Sequence, residues 1–292
     1  DELLLVNDGS TDGSAEVITR YTERYPSLIR PFYQENAGAA EARNHGIREA
    51  KCDYICFLDQ DDFVDPDYVS AFRRYADTTD ADILLGGYRR VSENKTLFRV
   101  DPVDSPWFPF TTTAAWARIY RSNLLKKHDI RFLSSPIGED VYLNLNAYAH
   151  ARSIMTVPYT GYNWYFNSGS VSNTSQRGFD PRIDLIRFLN ILRGVCGEKL
   201  HTEKWYGPFF VRYVIWYLLF SGRSASSEAF MREYKACFGW LAEKQIPIRF
   251  PIGDKDFSCE RSSAKCSIHA FLMLHRLHLV PLFAKLYCRG GS

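Results

Sequence analysis

The sequence predicts an α/β fold, a doubly wound and mainly parallel sheet, followed by a mainly helical C-terminal region. Three observations predict it. Strand and helix patterns alternate through the first third of the chain, the arrangement that builds parallel sheets from crossover units. Two polar clusters, Asn7-Asp8-Gly9 and Asp59-Gln60-Asp61-Asp62, cut off apolar runs where strands would end. Beyond residue 175 the apolar residues recur at helical spacing.

The run Leu3–Val6 is short and continuously apolar, as expected of a strand covered on both faces. Residues 7–13 are turn chemistry, and Ser14 is placed to cap a helix whose Val17, Ile18, Tyr21 and Tyr25 share a face. A second strand is expected over Leu28–Tyr33, a helix over Ala39–Ala50 and a third strand over Tyr54–Leu58. Residues 81–135 read as strand and loop, with helix around Ala114–Lys126, and Gly138–Ala151 reads as a further helix. In the rear region Ile183, Ile186, Leu189 and Val195 follow helical spacing, and Trp205–Phe220 and Phe271–Leu286 are apolar with embedded basic residues. Pro281 should kink or end the last of these. The expected division is therefore a first domain over 1–175 and a helical region over 176–292.

The net charge of +2 is uneven: acids outnumber bases in the first 180 residues, and the reverse holds after them. An acidic front can hold a divalent cation, and a basic rear can rest against anionic lipid or an anionic acceptor. Seven cysteines without a C-x-x-C pair point to reduced thiols and a cytoplasmic setting. The sequons at Asn94 and Asn173 are read as chance. No signal peptide and no apolar run of transmembrane length is present. The chain opens in an apolar run without Met, which reads as a strand in mid-domain with a segment expected upstream. Basic residues lack the aromatic-interleaved modules of nucleic-acid binders, so DNA or RNA is not expected as a partner.

Chemistry concentrates at the strand ends. Asp59, Asp61 and Asp62 repel one another unless a cation neutralises them, and oxygen-only ligation suits Mg²⁺ or Mn²⁺. A solvated acidic turn is the plain alternative. Asp8 supplies an acceptor at another strand end, where Gly9 permits a tight bend. Asn36 and Gly38, with Arg43 and Asn44 in the helix that follows, add donors near the same edge, and Arg43 is suited to a diphosphate.

These residues carry a resemblance. The segments Val6-Asn7-Asp8-Gly9-Ser10-Thr11-Asp12-Gly13-Ser14, Glu35-Asn36-Ala37-Gly38-Ala39-Ala40-Glu41-Ala42-Arg43-Asn44, Phe57-Leu58-Asp59-Gln60-Asp61-Asp62 and Gly138-Glu139-Asp140 resemble, in order and spacing, the family 2 glycosyltransferases. That large bacterial group has the GT-A fold, and the likeness covers residues 1–172. It implies a nucleotide-diphosphate-sugar donor, usually a UDP-sugar, with a Mg²⁺ or Mn²⁺ ion and inversion at the anomeric carbon. The acceptor would be a glycan or a lipid-linked molecule of cell-surface polysaccharide synthesis. By the same resemblance Asp8 matches the acid that recognises uracil, and Asp59 and Asp61 match the ends of the D-x-D motif. Asp61 is then the metal ligand, with Asp62 beside it. Arg43 falls on the Arg of the A-R-N motif. Glu139-Asp140 matches the E-D pair, whose second member takes the proton from the acceptor hydroxyl. A carboxylate pair at a helix start also suits the helix dipole.

Departures from the pattern are specific. The family's opening strand and helix with a Pro-x-Tyr-Asn type motif are absent, and Asn7-Asp8 replaces its doubled acid. Residues 164–172 resemble the tyrosine-rich segment after the catalytic helix, but Phe166-Asn167 stand where the family often has Arg. Two other readings remain: a nucleotidyltransferase on a related sheet, and a non-catalytic nucleotide-sugar-binding module or inactive fragment of such an enzyme. In the rear, Phe271, Leu274, Leu277 and Leu282 with Arg276, Lys285 and Arg289 form either a basic amphipathic surface for peripheral contact with the inner face of the membrane or an ordinary core-facing helix.

Overall fold

The computed structural model describes residues 1–93, 95–166 and 178–289. The chain divides into two compact units, the first made of residues 1–102 and 113–165, the second of residues 103–112 and 166–292.

In the first unit β1 (Leu3–Asp8), α1 (Ser14–Arg24) and β2 (Ile29–Gln34) form a parallel crossover, with Leu3 opposite Ile29 and Asp8 opposite Gln34. Ser14, the expected cap of α1, is its first residue; Gly13 takes the cap position without a side-chain hydrogen bond, and Asp12 Oδ1 accepts from the Ser14 amide at 3.0 Å. Leu3 is exposed and Leu4 to Val6 are only half-buried, so β1 is less covered than its apolar run implies. After α2 (Ala39–Glu49) come β3 (Tyr54–Cys56), β4 (Phe63–Val64), α3 (Tyr68–Thr78), β5 (Ile83–Ser92), β6 (Lys95–Val100), β7 (Arg118–Arg121), α4 (Ser122–Lys127), α5 (Glu139–His150) and β8 (Ile154–Tyr165). The second sheet has the order β3-β7-β5-β8-β4, with β6 paired to β5.

The pairing is more mixed than strand–helix alternation implies. β1–β2 and β5–β8 are parallel, whereas β3–β7, β5–β7, β5–β6 and β4–β8 are antiparallel. Among the described residues β1 pairs with β2 alone and β3 with β7 alone. The helix expected over Ala114–Lys126 is instead β7 followed by α4. Ala114 and Ala115 favour helix, but Tyr120 sits in the ladder opposite both Ile55 and Ile83, and that pairing overrides local propensity. The third strand stops at Cys56 because Phe57 leaves the ladder to pack on Phe132, ring centroids 4.9 Å apart and edge to face.

β5 is the central strand and is buried along nearly its whole length, as expected of a strand with neighbours on both sides. The core beside it holds Tyr68, Phe72, Leu84, Trp116, Val157 and Tyr162. Burying Phe72 of α3 alone contributes about 1.5–3 kcal/mol.

The second unit is helical: α6 (Leu185–His201), α7 (Tyr206–Gly222), α8 (Ser227–Glu243), α9 (Ser262–Arg276) and α10 (Val280–Tyr287). Asp184 caps α6 and Ser226 caps α8 through side-chain oxygens. α7 is buried on most of its faces and is the central helix. Residues 103–112 bring in Trp107, fully buried against Phe110, Phe250 and Phe257. Trp107 Nε1 donates to Glu260 Oε2 at 3.0 Å, and Glu260 pairs with Arg212 at 2.7 Å. Pro281 lies in the first turn of α10 and marks the break after α9. Phe271, expected on an amphipathic surface, is buried, whereas Leu277, Leu282 and Leu286 are exposed. No helix among the described residues is long and apolar enough to cross a membrane.

Candidate active site

The site is built in the first unit, from the ends of β1 and β3 and the starts of α2 and α5. Gly9 follows β1 at φ +69°, and a Cβ there would lie 2.8 Å from the Asn36 backbone nitrogen. Only glycine lets the two strand-end loops approach so closely. Asp8 then reaches across. Its Oδ1 accepts from Gln34 Nε2 at 2.8 Å and the Ala37 amide at 2.9 Å, and its Oδ2 accepts from the Gly38 amide at 2.8 Å. Burial raises this carboxyl, but the Ala37 amide, the Gln34 side chain and the Gly38 amide outweigh it and hold Asp8 below the usual carboxylate range. Gln34 is braced in turn by His45 Nδ1 at 2.8 Å. Asp8 thus shapes the Asn36–Gly38 loop, with Asn36 exposed on it.

Arg43 is the centre of the constellation. Asn44 fixes this part of α2 by accepting from the Phe132 amide at 2.8 Å and donating to its carbonyl at 3.0 Å. The Arg43 guanidinium lies 5.2 Å from the Phe132 ring centroid. From there Nη2 pairs with Asp59 at 2.6 Å, and Nη1 lies 3.6 Å from Asp140 and 3.9 Å from Glu139. Burial disfavours the charged guanidinium, but Asp140, Asp59 and Glu139 outweigh it and raise the Arg43 pKa.

Glu139 and Asp140 open α5 behind Gly138, whose φ of +75° is the left-handed conformation that glycine adopts without strain. Asp140 is 22% exposed, and its Oδ1 makes no hydrogen bond among the described residues. Burial pushes its carboxyl up to about 7; Arg43 pulls it down, and Glu139 and Asp59 push it further up. A carboxyl poised near neutrality can take a proton from a ligand.

The acidic turn after β3 divides its carboxylates. Asp59 goes to Arg43. Asp62 accepts from the Tyr162 hydroxyl at 2.6 Å and the Tyr165 amide at 2.8 Å, and burial pushes it up to about 6. Tyr162 is stacked on Trp116, centroids 4.6 Å apart, so Asp62 fastens the turn to β8 and the core. Asp61 is exposed and has no hydrogen bond or ion pair among the described residues. The described residues contain no cluster of three or more His, Cys, Asp or Glu side chains that could hold a metal ion. A cation at Asp61 would therefore take one ligand from this turn and the rest from substrate oxygens and water, which is how Mg²⁺ commonly binds.

The structure brings together Arg43, Asp59, Glu139 and Asp140, and it joins Asp8 to the Asn36–Gly38 loop. Residues 167–172 of the tyrosine-rich segment and both sequon asparagines, Asn94 and Asn173, lie outside the described residues. Gln34, His45, Phe132 and Tyr162 were not legible as site residues, because each acts on a candidate carboxylate, loop or guanidinium through a contact between separate elements.

The model of glycosyl transferase family 2 matches residues 1–135. Glycosyltransferase GlyA of Streptococcus pneumoniae is 28% identical over 191 residues, 59% of this chain and 27% of its own length. The uncharacterized glycosyltransferase EpsJ of Bacillus subtilis is 30% identical over 233 residues, 69% of this chain and 65% of its own. The chain thus spans less than two thirds of either relative. The crystal structure of Staphylococcus aureus TarS residues 1–349 with UDP-GlcNAc superposes with a TM-score of 0.56 at 16% identity, covering 87% of this chain and 85% of that one; TarS is a poly(ribitol-phosphate) beta-N-acetylglucosaminyltransferase. With four motifs in family order, a matching family model and a shared fold, residues 1–135 form a glycosyl transferase family 2 domain, and the chain has a fold of GT-A type followed by a helical region.

Proposed function

We propose that the protein transfers a sugar from a nucleoside-diphosphate donor, a UDP-sugar, to a hydroxyl of a glycan or lipid-linked acceptor, with inversion at the anomeric carbon. The observation that carries this reading is the convergence of Asp59, Glu139 and Asp140 on Arg43, with the Asp140 carboxyl at about 7. Asp140 takes the acceptor proton as the hydroxyl attacks C1, and Arg43 keeps that carboxyl ionisable near neutral pH. Asp61 would hold Mg²⁺ or Mn²⁺, which when bound offsets the charge gathering on the departing diphosphate. The complex of TarS with UDP-GlcNAc supports the choice of donor. Exposed Leu277, Leu282 and Leu286 beside Arg276 and Lys285 support peripheral contact with an anionic membrane surface near a lipid-linked acceptor.

Calorimetric titration of UDP with and without Mn²⁺ tests the donor site. Asp61→Ala is expected to weaken Mn²⁺-dependent UDP binding by ~10-fold or more, the loss of one charge-assisted ligand. Equal UDP binding with and without metal removes Asp61 from its role, and no UDP binding at all sinks the donor assignment. UDP binding without turnover of any UDP-sugar would favour the non-catalytic module.

The pH profile of kcat tests the base. Activity should rise as pH passes through about 7 and Asp140 loses its proton. Arg43→Gln should move that rise to higher pH, because it removes the cation that pulls the carboxyl down. A rise that stays in place would show that Arg43 does not tune Asp140.

A further inference from the structure

Behind Asp140 lies a buried polar cluster that belongs wholly to the first unit. Its centre is Tyr120 of β7 and Asn144 of α5, one helical turn beyond Asp140. The Tyr120 hydroxyl donates to Asn144 Oδ1 at 2.5 Å, with the Ala115 carbonyl also in reach at 3.3 Å. Asn144 Nδ2 donates to the Thr113 carbonyl at 2.7 Å and the Ala114 carbonyl at 3.2 Å. Two side chains thus hold three successive carbonyls of one turn. From the same turn the Ala115 amide donates to the Asp140 carboxylate.

Residues 113–117 need this support. Ala117 has φ +58°, a left-handed conformation that its Cβ disfavours, and its carbonyl accepts from the Gly86 amide at 2.9 Å. Such strain persists only where the surroundings fix the backbone, and it gathers at functional sites. Trp116 stacks on Tyr162, whose hydroxyl holds Asp62. The Tyr120 ring packs on Phe57, centroids 5.8 Å apart, two residues before Asp59. Three arms of the cluster therefore end on a candidate carboxylate or on the segment that carries one.

Asp140 is surrounded by charge: Arg43 from α2, Asp59 from the turn after β3 and Glu139 from its own helix, while Arg118 and Tyr120 of β7 feel its field. The Ala115 amide adds a donor of fixed direction. It favours the ionised carboxylate and orients it, leaving the remaining lone pairs for an acceptor hydroxyl.

We propose that Tyr120 and Asn144 are positioning residues for the base: they hold residues 113–117 so that the Ala115 amide fixes the Asp140 carboxylate in its working orientation. This rests on the reading of Asp140 as the general base.

Tyr120→Phe keeps the ring and removes the hydroxyl. Carbon-13 NMR of the full chain, labelled at its aspartate carboxyls, follows Asp140 without turnover, its resonance identified by loss in Asp140→Asn. As the turn loosens and the amide withdraws, the titration midpoint of Asp140 should move up by ~0.5 pH or more. At pH 7 kcat should fall ~10-fold while KM for the donor stays within ~2-fold. Asn144→Ser, whose shorter side chain cannot span both carbonyls, should act in the same direction. A lower unfolding temperature is expected of any buried polar deletion, so the midpoint decides. A midpoint that stays in place in both variants overturns the proposal, whatever happens to kcat. A midpoint that moves while Asp140→Asn keeps full activity overturns the base reading itself, and the positioning role with it.

Discussion

Replacing Asp140 by Asn is expected to lower kcat for sugar transfer by ~10²–10⁴-fold, the range for loss of a positioned general base, while UDP affinity changes by less than ~3-fold. Asn keeps the shape of the side chain at the start of α5 but cannot accept the proton. The stability of the same variant separates chemistry from misfolding. Burial raises the folded-state pKa of Asp140 to about 7, above that of a carboxyl in an unfolded chain. The folded protein therefore holds this proton more tightly than the unfolded chain does. The resulting stabilisation is fully present below about pH 4 and is lost as pH rises through about 7. Asn never ionises, so at pH 8 the variant should unfold at the same temperature as the wild type or higher. Activity within tenfold of wild type removes Asp140 as the base. A lowered unfolding temperature at pH 8 contradicts the reading of its environment.

The largest stability effect is expected in the second unit. Glu260 has no exposed side-chain surface; it pairs with Arg212 at 2.7 Å and accepts from Trp107 Nε1 at 3.0 Å. Arg212 also donates to the Thr111 carbonyl at 3.1 Å. Glu260→Ala leaves a largely buried guanidinium uncompensated and an indole N–H unsatisfied, which should cost about 3–5 kcal/mol. Thermal unfolding should shift down by more than ~6 °C. The double variant Arg212→Met, Glu260→Leu should recover most of this, since removing both charges removes the unpaired one. A single variant as stable as wild type would show that residues 103–112 are held by the rings around Trp107 alone.

Much of the first unit was legible because its signals are local. Apolar runs ending in Asp8 or Asp59 mark strand ends, and Gly138 before Glu139-Asp140 marks a helix start. The motif order then picks out Arg43, Asp59 and Asp140, which the fold gathers. What stayed illegible depends on contacts between distant parts of the chain. Asp62 and Asp61 are equivalent acids in sequence, yet Tyr162, a hundred positions on, engages one of them and leaves the other exposed. Phe132 carries no motif, but its ring and backbone hold the Arg43-Asn44 pair. β7 was hidden by the alanines before it, because strand pairing with Ile55 and Ile83 is not written in its own composition.

The two strands with single partners have a practical consequence. β1 and β3 each present a row of backbone amides and carbonyls with no ladder partner among the described residues, and β1 bears an exposed Leu3. Such edges are templates for intermolecular pairing. In concentrated solution this chain should self-associate by strand addition. A charged substitution such as Leu3→Lys should raise its solubility limit without altering the loops around Asp8 and Asp59.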